Sequence, residues 1–174
     1  MLLDGEDWQR VLHGFSQSAF RLETLPAYKV PGEAEDFEEF LNGSRIDPST
    51  YTSGWTDRLR AHTAAGRTVQ RVHIVTRPLS DYLRYEFMYY EPHAMAGEDI
   101  RILDLTDRPN PGLPDQDFWA FDDSTVVLMN YAPDGTPLNR VLVEGGIDQY
   151  REWQRIAVAE SVSFADYVKE HGWQ

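Results

Sequence analysis

Thr68-Val69-Gln70-Arg71-Val72-His73-Ile74-Val75-Thr76 is the most strand-like run in the chain, and the segments around it set the fold class. Val69, Val72, Ile74 and Val75 are β-branched, which suits a central or near-central strand, although Gln70, Arg71 and His73 interrupt the apolar run. Upstream, Trp55, Leu59 and His62 fall in helical register over 55–65, and Gly66 stands where a left-handed C-terminal cap is wanted. Downstream, Pro78 ends the strand and Ser80 can cap a helix in which Leu79, Tyr82, Leu83 and Glu86 run toward Tyr90. Glu91-Pro92-His93 has the character of a loop, and Gly97 closes the segment.

The same reading extends to both ends. Trp8, Val11, Leu12 and Phe15 mark an amphipathic helix from Asp4, whose side chain offers a cap. Ala19 to Leu25 alternates Phe20, Leu22 and Thr24 with Arg21 and Glu23, the two-residue period of a half-buried strand ended by Pro26. Glu33 to Leu41 is an acidic helix with a narrow apolar stripe, and 42–54 is loop. Asp99 to Asp104 is a short strand, and the three prolines after Asp107 impose a loop. Phe118 to Phe121 and Thr125 to Tyr131 are strands joined by Asp122-Asp123-Ser124. Ala132-Pro133-Asp134-Gly135 turns the chain into a returning strand, Leu138 to Val143. Tyr150, Trp153, Ile156 and Ala157 share one face of a helix that Phe164, Tyr167 and Val168 extend. Helices interleaved with strands, without repeats, predict one α/β domain over 1–174: a layered fold with a mixed central sheet flanked by helices.

Composition narrows the function classes. With 16 basic and 29 acidic residues the net charge is -13, which repels phosphate backbones and argues against direct nucleic-acid binding. The chain has no cysteine, so thiol nucleophiles, thiolate metal sites and disulfides drop out and a reducing cytoplasm is the expected setting. No apolar stretch approaches membrane-spanning length, and the acidic start lacks the features of a signal peptide.

Catalytic motifs are wanting. His13, His62, His73, His93 and His171 show no metal-helix spacing, and His62 and His73 fit structural roles, whereas His93 could line a pocket. Among the carboxylates, Glu98-Asp99, Asp115, Asp117 and Asp122-Asp123 flank strand ends where sites gather in α/β folds, but solvated turns explain them as well. The chain carries no phosphate-binding glycine loop, nucleophile elbow or zinc-protease helix. No catalytic residue, metal site or cofactor is therefore expected. Arg67, Arg71, Arg77, Arg84 and Arg101 do crowd the middle of the chain, which suggests either ion pairing with the carboxylates or an anion pocket.

Several phrases together carry a resemblance: Ala19-Phe20-Arg21-Leu22-Glu23-Thr24, Gly66-Arg67-Thr68-Val69-Gln70-Arg71-Val72 and Arg77-Pro78-Leu79-Ser80-Asp81-Tyr82-Leu83-Arg84. Ala96-Gly97-Glu98-Asp99-Ile100-Arg101 and Asp117-Phe118-Trp119-Ala120-Phe121-Asp122 complete the set, and the match extends from Trp8 to Tyr167. The chain resembles an uncharacterised domain family of actinobacterial-type genomes, often encoded beside helix-turn-helix regulators. The resemblance implies a place in a regulatory circuit and supplies no catalytic residue. Gly66 to Val75 and Trp119 to Asp122 are also faintly similar to the phospholipase D-like fold. The stretch Asp115-Gln116-Asp117-Phe118 lacks the His and Lys that serve active members, so that similarity implies a scaffold kept for binding.

Two expectations follow. One is a non-catalytic accessory or regulatory protein that engages a protein partner, with a helix-turn-helix regulator as the candidate. The other is a sensor or enzyme for a small anion, with a pocket formed by Arg71, Arg77, Arg84, Glu98 and Arg101 between Tyr82 and Trp119.

Overall fold

The computed structural model describes every residue from Met1 to Gln174. Its strands are β1 (Ser18–Glu23), β2 (Thr68–Val75), β3 (Glu98–Asp104), β4 (Asp117–Phe121), β5 (Thr125–Tyr131), β6 (Pro137–Leu142) and β7 (Val162–Ser163). They form one seven-stranded mixed sheet in the order β6-β5-β4-β1-β2-β3-β7. β2 lies parallel between β1 and β3, while β4, β5 and β6 add an antiparallel meander on the β1 side. The layered α/β architecture with a mixed sheet is thus as expected, and β2 is interior to it.

Six helices cover the sheet: α1 (Gly5–His13), α2 (Ala34–Leu41), α3 (Gly54–Ala64), α4 (Asp81–Met95), α5 (Asp148–Glu160) and α6 (Phe164–His171). Directly opposed strand residues point to the same face, so the register places Ala19, Arg21, Val69, Arg71, Ile100 and Trp119 together. α1 and α3 pack on one end of this face through Trp8 and Leu59, and α4 and α6 on the other through Phe87, Tyr90 and Tyr167. Phe20, Leu22, Val72, Leu103 and Phe118 line the opposite face under α5. α2 lies outside the sheet layers, with Phe40 against Tyr82, Tyr85 and Met88 of α4.

That arrangement explains why apolar and aromatic residues occupy two sides of α4. Leu83, Phe87 and Tyr90 reach the sheet while Tyr82, Tyr85 and Met88 reach α2, so both flanks of the helix exclude water. Its start is capped by Ser80, whose hydroxyl accepts the Leu83 N–H at 3.0 Å. The helix runs through Pro92, so Glu91-Pro92-His93 is not a loop; proline forfeits one backbone bond near the C-terminus, and burial on two sides outweighs that loss. Gly97 (φ +116°) then makes the turn into β3, where a Cβ would stand 2.1 Å from Thr63 Oγ1.

Three other details depart from expectation. Asp4 makes no side-chain cap bond to α1. The last helical region is two helices, α5 and α6, because 162–163 leave the helix to pair with β3. β1 is buried on both faces rather than half-buried, because helices cover the sheet on both sides. The β4–β5 turn uses Asp122 and Asp123 in the left-handed region, φ 53° and 54°, which Asp tolerates better than most side chains. The Asp122 carboxylate accepts the Ser16, Gln17 and Ser18 N–H groups at 2.7, 2.7 and 2.9 Å, tying this hairpin to the start of β1. No helix is long and apolar enough to cross a membrane.

Phe118 is fully buried between the sheet and α5, with Tyr150 5.2 Å away edge to face. Phe118→Ala is expected to cost about 3–5 kcal/mol of unfolding free energy with an unchanged denaturant slope, as measured by urea titration.

Candidate functional site

Between the two apolar clusters of the helix-bearing face, the sheet carries charge. Arg21 and Glu23 from β1, Arg71 and His73 from β2, Glu98 from β3 and Asp117 from β4 are all on this face, and all but Arg71 are buried. Arg71 is the hub: its Nη1 donates to Glu23 at 2.9 Å and its Nη2 to Glu98 at 3.0 Å. Arg21 Nη2 meets Asp117 at 3.3 Å and donates to the Tyr131 hydroxyl at 2.9 Å. Asp117 also accepts from the Thr24 N–H and hydroxyl at 2.9 and 2.6 Å and from the Tyr28 hydroxyl at 2.6 Å. At Asp117 water is replaced bond for bond, as a buried carboxylate requires.

A cleft of about 530 Å³ opens over this floor. α2 brings Asp36 to it, with Glu33 just before the helix; Tyr51 and Trp55 come from the start of α3 and its approach, and α4 contributes Tyr85, Glu86, Tyr89 and His93. Trp119 and Tyr131 close it on the β4–β5 side. The Arg21 guanidinium lies 5.6 Å from the Trp119 ring centre, and that of Arg71 5.1 Å from Tyr90, so aromatic faces as well as carboxylates hold the two cations.

The environment pushes neighbouring carboxyls in opposite directions. Burial raises Glu23, but Arg71, His73 and Arg21 outweigh it and hold the group below the ordinary carboxylate value. Glu86 is driven well above that value by burial, with the Glu23 charge adding to the effect. Burial also lifts Glu98 despite its bond to Arg71. His93 is lowered to about 3 by burial and then by Arg71, which leaves a neutral imidazole at ordinary pH. His73 Nε2 donates to the Leu25 carbonyl at 3.0 Å, while Nδ1 lies 2.8 Å from the Tyr90 hydroxyl and 3.4 Å from Glu86. Glu23, His73 and Glu86 bring one ligand atom each within 4.8 Å of one another. Those donors could hold a divalent cation, but Arg71 and Tyr90 already engage Glu23 and His73.

A family model described as a domain of unknown function, DUF6879, matches residues 6–169. The chain belongs to the DUF6879 family. No curated protein matches it.

Of the residues expected to form a pocket in this DUF6879 chain, the structure brings three to the network and cleft: Arg71, Glu98 and Trp119. Tyr82 sits just behind, donating to Glu33 at 2.9 Å. The other arginines do not converge. Arg77 pairs with Asp104 at 2.8 Å beyond the end of β2, and Arg84 with Asp81 at 2.7 Å on the outside of α4. Arg101 is one residue out of phase with the partner of Arg71, so it emerges on the α5 face and donates to Ser161 at 2.9 Å. Asp117 and Glu98 are buried ligands of arginine rather than solvated turn residues. Arg21 and Glu23 are the residues missed; their signal was a charge at every second position of an otherwise apolar strand, in phase with Arg71 and His73.

Arg21→Met strands Asp117 as a buried charge and is expected to cost about 3–5 kcal/mol, whereas Arg84→Met changes stability by less than about 0.5 kcal/mol in the same denaturation assay. Glu86 gives a second expectation. A carboxyl held above its unfolded value contributes stability that is complete below that value and is lost as pH rises through the folded one. Glu86→Gln removes that loss, so as pH rises above the ordinary carboxylate range the variant's melting point should fall less steeply than the parent's.

Proposed function

We propose that this protein is a small-molecule receptor whose ligand occupies the cleft between α2, α4 and the sheet. The observation that carries the reading is the juxtaposition of a largely buried arginine–carboxylate floor with aromatic walls. Buried ion pairs add little net stability compared with apolar packing, so a network of this size in the wall of a cleft can serve recognition as well as strand register. Polar atoms here are also left without partners: Arg21 Nε, Arg71 Nε, Glu98 Oε2 and His93 Nδ1 are buried and unpaired.

Partner binding is the second proposal. The net charge of -13 and the genomic habit implied by the resemblance support an accessory or regulatory protein in the cytoplasm that docks a helix-turn-helix regulator. Receptor and accessory roles are compatible, since a ligand held between α2 and α4 would change how firmly the acidic α2 is seated. A phospholipase D-like scaffold stays a proposal resting on the two segments that suggested it.

A thermal-melt screen against small metabolites tests the receptor reading. A ligand present at about a hundred times its dissociation constant adds about 2.7 kcal/mol of stability, a shift that should vanish in Tyr89→Ala, a wall residue outside the buried network. If no compound raises the midpoint, the receptor role is refuted.

A further inference from the structure

The balance of charge in the cleft points to a kind of ligand that the sequence did not suggest. Both arginines of the floor are already engaged, Arg71 by Glu23 and Glu98 and Arg21 by Asp117. Two cations therefore face three carboxylates before the walls are counted. The walls add Glu33 and Asp36 and no further cation, while burial favours the neutral form of Glu86. Glu33 and Asp36 are held by phenol donors: Tyr82 bonds Glu33 at 2.9 Å and Tyr85 bonds Asp36 at 2.7 Å, with Tyr89 on the same Asp36 oxygen. These carboxylates have neutral partners and no counter-charge.

Aromatic surface surrounds them. Tyr89 stands 5.3 Å from both Tyr51 and Tyr85, at steep interplanar angles of 61° and 81°, and Trp55 and Tyr131 line the same space. Rings set edge to face enclose a volume instead of stacking it shut, and their quadrupoles present negative faces that attract a cation. The second requirement comes from the floor. Arg21 is 7% exposed, and its Nε has no partner; a buried donor left unpaired costs enough to favour a ligand that brings an acceptor.

Building on the receptor reading, we propose that the ligand is a small organic cation of the substituted-ammonium class carrying an oxygen acceptor. Its cationic head sits among the aromatic rings beside Asp36 and Glu33, and its oxygen meets the free donor of Arg21. Charge complementarity speeds its arrival, since the protein as a whole carries -13.

Isothermal titration of the full chain with four probes tests this: choline, tetramethylammonium, the neutral isostere 3,3-dimethylbutan-1-ol and benzoate. Choline is expected to bind, tetramethylammonium about tenfold more weakly for want of an acceptor, and the neutral isostere and benzoate not measurably. Asp36→Asn should weaken choline about tenfold. Circular dichroism and a melting curve confirm that it is folded, and Glu33→Gln is the second variant should it not be. Equal binding of choline and its isostere, or binding of benzoate alone, would overturn the cation assignment while leaving the receptor reading intact. Failure of all four probes overturns it too if the wider melt screen yields a ligand of another class. Silence in both assays removes the receptor reading with it.

Discussion

Arg71 holding Glu23 and Glu98 in the middle of a helix-covered sheet face is the interaction on which the rest of the structure depends. Three neighbouring strands each supply one of its members, so the ion pairs can form only when β1, β2 and β3 are paired in their present register. A slip of one residue in any of them would turn a charge toward the α5 face, where Phe20, Val72 and Leu103 are packed. The desolvation cost of the network thus serves as a penalty on wrong registers, a role better attested for buried polar groups than net stabilisation.

The apolar clusters are arranged around that constraint. α1 and α3 seal one side of the charged strip and α4 and α6 the other. The strip between them is where helices do not close directly over the sheet, and the cleft occupies that gap. α2 reaches the gap from outside, seated on α4 through aromatic pairs such as Phe37 with Tyr85 at 5.2 Å. Asp36, one of its acidic residues, which in isolation suggest only a solvated surface, is thereby brought to the wall of the cleft. The meander β4–β5–β6 does the same from the opposite side with Trp119 and Tyr131.

Opposed shifts within a few ångströms, Glu23 low and Glu86 high, make the two carboxyls of the cleft differ in the charge state their surroundings favour. Such pairs occur at catalytic centres as well as in receptors. Both carboxyls are held in place, Glu23 by Arg71 at 2.9 Å and Glu86 by the Tyr90 hydroxyl at 3.2 Å.

The elements themselves were legible in the sequence, because hydrophobic period and turn chemistry act locally: Ser80 as a cap, Gly66 and Gly97 as left-handed stops, and the strand at 68–75 are each set by a few adjacent residues. Lone residues were less so. Pro92 looked like a breaker because its local cost is plain while the double burial of α4 is not. The arginine crowd at 67–101 was compatible with scattered ion pairs or with one pocket, because proximity along a chain does not fix proximity in space. By itself the sequence determined the α/β class, the acidic surface and the approximate element boundaries. Only tertiary structure decided that Arg21, 50 positions before Arg71, shares its face while Arg101 does not. The physical reason is that side chains alternate across a strand, so strand register rather than sequence separation selects which charges meet.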